Sequence, residues 1–219
     1  MPDNLITSDV ATVSGYLARP MDDANHPGIV VLQEWWGLDE HIKDIARRFA
    51  REGFVALAPD LFHGKVTGDA DEARKLSGGM DRTRAVRDVQ AAVDWVRDQE
   101  YSDGKVGTIG YCMGGGMSLL TACNHDVNAA VVYYGGIPNP IELLDNLNAP
   151  VLAIYGDDEV ERVEQIEKGL KNRGKSVESH VYEGARHAFF NDTWEERYHA
   201  EAAADAWTKT LAFLRSHLA

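Results

Sequence analysis

Cysteine is scarce in this chain of 219 residues: Cys112 and Cys123 are the only two, too few for a disulfide framework or a four-thiolate metal site. Reduced thiols and no metal or other cofactor are therefore expected. Long apolar runs are missing as well, since none approaches the roughly 20 residues that a bilayer-crossing helix requires. The opening stretch MPDNLITSD lacks the basic-then-apolar order of a secretory signal. These absences point to a cytoplasmic address and no membrane partner. Positive charge is also short, with 22 Lys and Arg against 35 Asp and Glu, a net charge of −13. With no basic stripe to offset that field, nucleic acid is excluded as an expected partner. No Pro/Gly/Ser-rich linker, internal repeat or low-complexity tract divides the sequence, so residues 1–219 read as a single domain with one sizeable core.

What the chain does contain is alternation. Short apolar runs rich in β-branched residues fall at 28–34, 54–61, 105–112, 129–135, 150–156 and 176–183, and ATVSGYLARP (11–20) reads as an N-terminal edge strand. Between them lie segments of helical period. DEHIKDIARRFAREG sets Ile42, Ile45, Ala46, Phe49 and Ala50 on one stripe, with Asp39 as cap and Gly53 as stop. Residues 81–99 do the same with Val86, Val89, Val93 and Val96. The last helix, starting after residue 195, does so with Ala200, Ala204, Trp207, Leu211, Leu214 and Leu218. Strands alternating with helices predict an α/β fold with a mostly parallel sheet covered on both faces.

One stretch departs from this plain pattern. IGYCMGGGM (109–117) starts as a buried strand, continues as a helix, and leaves Cys112 on the turn between them. A strand that reverses at once into a helix forces strained angles on its turn residue and needs small neighbours, here Gly110 and Gly114. The pattern G-x-C-x-G is a nucleophile elbow with sulfur in place of the hydroxyl, and the N–H groups of a helix start suit a nucleophilic sulfur. The alternative is a tight strand–helix junction with Cys112 as a small buried filler. The catalytic reading requires an acid after a later strand and a histidine near the C-terminus. Both occur in that order: Asp157, Asp158 and Glu159 follow PVLAIYG directly, and His187 lies in YEGARHAFFND beyond the last strand. The other seven of the eight histidines are read as surface or packing residues.

Three stretches, VVLQEWWGLDEHIKDIARRFAREGFVALAPDLF, DGKVGTIGYCMGGG and YEGARHAFFND, together resemble the dienelactone hydrolase family, the carboxymethylenebutenolidase-like branch of the α/β-hydrolases. The resemblance implies an α/β-hydrolase fold without a large cap domain. It implies Cys112 as nucleophile, His187 as base, and Glu34 as a carboxylate beside the thiol that helps to accept its proton. A buried strand end would not tolerate Glu34 without a purpose, the alternative being an ordinary ion pair. The backbone N–H groups of Trp35 and Met113 are the expected oxyanion donors. The acid departs from the family pattern: counting three residues from Gly156 lands on Glu159, but the following segment is short and lacks the usual proline. One residue fewer in the turn would make Asp158 the acid instead.

The implied chemistry is hydrolysis of small lactones or activated esters through a thioester. Trp35, Trp36, Tyr111, Phe189 and Phe190 would roof an aromatic pocket, core packing being their alternative role. Arg82, Arg84 and Arg186 are candidates to bind a substrate carboxylate. Phosphotriesters or other esters are the neighbouring alternative, and a redox-sensing Cys112 on a silent fold is the one from another class. A small-molecule substrate and a monomer or small homo-oligomer complete the expectation.

Overall fold

The computed structural model describes residues 5–10 and 14–218, with side chains from 14 to 218. The chain divides into two compact units, Met1–Thr108 and Ile109–Ala219, and the division falls inside one strand.

The first unit contains β1 (Leu5–Val10), β2 (Gly15–Pro20), β3 (His26–Leu32), α1 (Glu40–Arg51), β4 (Val55–Pro59), α2 (Ala70–Gly78), α3 (Arg82–Arg97) and most of β5 (Ser102–Tyr111). Its strand order is β1-β2-β4-β3-β5. β1 and β4 run antiparallel to β2, whereas β3 and β4 are parallel, with Gly28 opposite Val55 and Val30 opposite Leu57. α1 forms as its sequence predicts: the Asp39 carboxylate accepts the Ile42 N–H at 3.1 Å, Ile42, Ile45, Ala46, Phe49 and Ala50 are buried, and Gly53 follows at φ +89°. α3 repeats the design, with Asp81 capping Arg84 and Ala85, Val89, Ala92, Val93 and Val96 buried.

Two elements of this unit were not anticipated. β1 lies outside β2, so the strand at Gly15–Pro20 is not the sheet edge, and positions 11–13 of the expected strand lie outside the described residues. The run LITSDV carries no apolar block and becomes a strand only by antiparallel pairing with β2. α2 buries only Ala73, so it offers no stripe for periodicity to detect.

The second unit takes the end of β5, then α4 (Met113–Asn124), β6 (Ala129–Tyr133), β7 (Val151–Gly156), α5 (Val160–Lys171), β8 (Val177–Tyr182) and α6 (Ala200–Leu218). Its strands run in the order β5-β6-β7-β8, with β6/β7 and β7/β8 parallel. Every residue of β6 and β7 is buried, which is why both read as continuous apolar runs rather than alternations. α6 keeps the C-terminal part of its expected stripe, with Leu211, Leu214 and Leu218 buried and Trp207 half-buried, but Ala200 and Ala204 are exposed and Ala202, Ala203 and Ala206 take the buried side of its first turns. Alanines on every side of those turns leave the phase there undetermined until the helix docks. Among the described residues no connection carries an inserted cap domain, and no helix is long and apolar enough to cross a membrane.

Candidate active site

The site in the second unit begins with backbone geometry. Cys112 stands between β5 and α4 at φ 55°, ψ −114°, a region that costs a non-glycine residue about 1–3 kcal/mol and persists only where its surroundings enforce it. Here they do. The Cys112 N–H donates to the Tyr133 carbonyl at 3.1 Å, and the Cys112 carbonyl accepts from the Gly115 N–H at 3.1 Å. The glycines are required by close approach: a Cβ on Gly110 would collide with the Gly114 backbone, and one on Gly115 would lie 2.6 Å from the Tyr133 oxygen. Strand and helix are therefore pressed together, and the Cys112 side chain is left half-buried at the head of α4. Cys123, on the same helix, is 3 % exposed, and burial pushes its thiol up to about 11 despite the nearby Lys175 charge.

The histidine loop is held by three consecutive acids at the end of β7, of which Asp158 and Glu159 bond His187 itself. Asp157 donates its N–H to the Ala185 carbonyl at 3.0 Å and accepts the Gly184 N–H on its carboxylate at 2.6 Å. Asp158 accepts the His187 backbone N–H on both carboxylate oxygens, at 2.9 and 3.2 Å. Glu159 places Oε1 2.9 Å from His187 Nδ1. Gly156 allows this approach, because a Cβ there would stand 2.5 Å from the Ala185 oxygen. Of the two acids that the sequence left open, Glu159 meets the imidazole and Asp158 fixes the backbone beneath it.

The His187 side chain also hydrogen-bonds the Cys112 side chain. With Nδ1 turned to Glu159, Nε2 is the ring nitrogen left for the sulfur. Burial alone would push the imidazole pKa down, but the bonds to Cys112 and Glu159 outweigh it and carry the pKa up to about 10. The arrangement can hold a positive imidazolium between a carboxylate and a sulfur, and it fixes the tautomer when the ring is neutral. The Tyr134 ring closes one side, its centroid 5.0 Å from that of His187.

Tyr111 and Phe189 do not line a cavity as expected. Both have 0 % exposure: Tyr111 stacks on Phe190 at 5.3 Å, and Phe189 packs edge-on to Tyr134 at 5.8 Å. Phe190 is equally enclosed, so these rings form the aromatic floor of the histidine loop rather than a ligand surface. Arg186 is exposed beside His187. Met113 opens α4, where a backbone N–H has no helical partner. The remaining expected residues belong to the first unit. Glu34 is 2 % exposed, Trp35 and Trp36 are half-buried with their rings edge-to-face at 5.0 Å, and Arg82 and Arg84 are exposed at the start of α3. Sequence reasoning missed Tyr134 and Arg162. The latter bonds Glu159 through Nη1, and its only sequence signal is the i, i+3 spacing.

The model of the dienelactone hydrolase family matches residues 13–218. Protein usf of Aquifex pyrophilus is 37% identical over 222 residues, covering 94% of either chain. Among solved structures, a provisionally named dienelactone hydrolase from Klebsiella pneumoniae is similar with a TM-score of 0.87 and 30% identity, over 95% of this chain and 97% of that one. A dienelactone hydrolase-like promiscuous phosphotriesterase from metagenomic libraries reaches a TM-score of 0.86 at 28% identity, over 94% and 92%. The mostly parallel sheet and its helices are thus an arrangement shared along nearly the whole described chain.

Proposed function

Since this chain belongs to the dienelactone hydrolase family, we propose that it hydrolyses small lactones or activated esters with Cys112 as nucleophile and a thioester as intermediate. The observation that carries this reading is the imidazole of His187, bonded on one side to Glu159 and on the other to a sulfur on a strained elbow. His187 takes the proton of Cys112 as the sulfur attacks the carbonyl carbon. The tetrahedral oxyanion receives the Met113 N–H, a donor of a kind worth roughly 3 kcal/mol of barrier. As the intermediate collapses to the thioester, His187 returns the proton to the leaving alkoxide. Neutral His187 then takes a proton from water as the hydroxide attacks the thioester, and when this second intermediate collapses His187 gives that proton back to the departing sulfur, releasing the carboxylic acid and restoring the thiol. Family resemblance also gives Glu34 a part in the chemistry, which Glu34→Gln tests by a fall in turnover.

A second substrate class is favoured by one finding, the phosphotriesterase among the similar structures. A sulfur that attacks a carbonyl can attack phosphorus through the same proton path. Comparing kcat/KM on a dienelactone, p-nitrophenyl acetate and a phosphotriester ranks the two, with the lactone or ester expected first. Cys112→Ala is expected to abolish all three activities with an unchanged circular dichroism spectrum. Survival of activity in that variant would remove the sulfur from the mechanism. Iodoacetamide at neutral pH should modify Cys112 and spare Cys123, which is enclosed and held protonated to about 11.

A further inference from the structure

Arg162 has no expected place in the chemistry, yet its guanidinium Nη1 bonds Glu159 Oε1, the same oxygen that meets His187 Nδ1. Glu159 is almost enclosed, its side chain 8% exposed, whereas Arg162 is 43% exposed. An enclosed carboxylate facing an imidazole favours the charged form of that ring. His187 must be neutral to remove a proton from thiol or water. A permanent second cation on the same carboxylate oxygen eases this conflict, because arginine does not titrate in the working range and weakens the hold of Glu159 on the ring proton. Arg162 stands in the first turn of α5, where a positive charge opposes the macrodipole, and what offsets that cost is its i, i+3 pair with Glu159.

We propose that Arg162 is a positioning residue of this site, a guanidinium that shares the enclosed Glu159 carboxylate with His187 and so limits how strongly that carboxylate holds a proton on the ring. The proposal rests on the reading of Cys112, His187 and Glu159 given above. Four other groups bear on the pair. His187 is faced by the Cys112 sulfur from the elbow, by the Tyr134 ring after β6 and, at its backbone, by Asp158. Tyr155 of β7 feels Glu159 and Arg162 with opposite signs. Arg162 acts through Glu159 and does not touch the reacting atoms.

The test compares Arg162→Gln and Arg162→Lys by two measurements. The first is NMR titration of the His187 ring in the resting protein, which needs no turnover. Removing the cation is expected to raise the His187 pKa by on the order of one unit in Arg162→Gln, and the retained charge of Arg162→Lys to restore it. The second is the pH dependence of thioester hydrolysis with p-nitrophenyl acetate, where the limb rising with pH should move up by a similar amount in Arg162→Gln, lowering kcat several-fold at pH 7 with KM little changed. No shift, a downward shift, or equal behaviour of the Lys and Gln variants overturns the proposal. If Arg162→Gln fails to fold, Arg162→Met replaces it in the same titration. Should the wild type form no thioester while the NMR shift appears, the reading of Cys112 falls and the pairing of Arg162 with Glu159 and His187 stands.

Discussion

Glu159 and Asp158 are neighbours of like charge, but their bonds divide the work of an orienting acid between them. Glu159→Gln removes the charge facing the ring, so the His187 pKa should fall from about 10 toward 6.5 and turnover should drop roughly 100-fold or more. Asp158→Ala removes the acceptor of the His187 backbone N–H and should loosen the loop, lowering thermal stability more than the His187 pKa. Titration by NMR and melting curves on the two variants separate the roles. Stability follows with a definite sign. The folded-state pKa of His187 lies above its ordinary 6.5, so the stabilisation is complete below about pH 6.5 and fades as pH rises through 10. The melting temperature of the wild type should therefore approach that of His187→Ala between pH 7 and pH 10.5. At this scale the meeting of Cys112 with His187 was legible because a strained turn and a fixed order of partners constrain it. Counting three residues from Gly156 led to Glu159, the carboxylate that meets the imidazole, but not to the separate bond of Asp158 to the His187 backbone, since the direction of each side chain is set by backbone angles after β7. Tyr111 and Phe189 were misassigned because adjacency to a reactive residue in sequence says nothing about which side of the strand or loop a ring occupies.

At the scale of elements, the elbow is the most constrained junction. Gly110→Ala would drive a methyl into the Gly114 backbone, and no flexible side chain there can yield. Loss of several kcal/mol or failure to fold is expected, measurable by urea unfolding, and far above the roughly 1 kcal/mol expected for removing the α1 cap with Asp39→Ala. Elements with a strong period, such as α1 and α3, could be placed from residues alone because one apolar stripe serves one core face. α2, with a single buried residue, and β1, which depends on its pairing to β2, carry no such stripe. α6 shows the intermediate case, its leucine stripe legible and the phase of its alanine-rich start not, because alanine is accepted on either face.

For the whole molecule, the one-domain reading remains a proposal with a direct check. Tryptophans sit in both compact units, Trp35, Trp36 and Trp95 in the first and Trp194 and Trp207 in the second. If residues 1–219 fold as one domain, fluorescence and far-ultraviolet dichroism should report a single coincident transition in urea, whereas separate transitions would assign each unit its own stability. The central claim is that Cys112 carries the acyl group. Mixing the protein rapidly with p-nitrophenyl acetate, quenching in acid and mapping the adduct by peptide mass spectrometry tests it most directly. An acetyl group is expected on the Cys112 peptide, formed with a burst of nitrophenol and absent in Cys112→Ala. Acetylation at another residue, or full turnover with no adduct on that peptide in any quench, would contradict it.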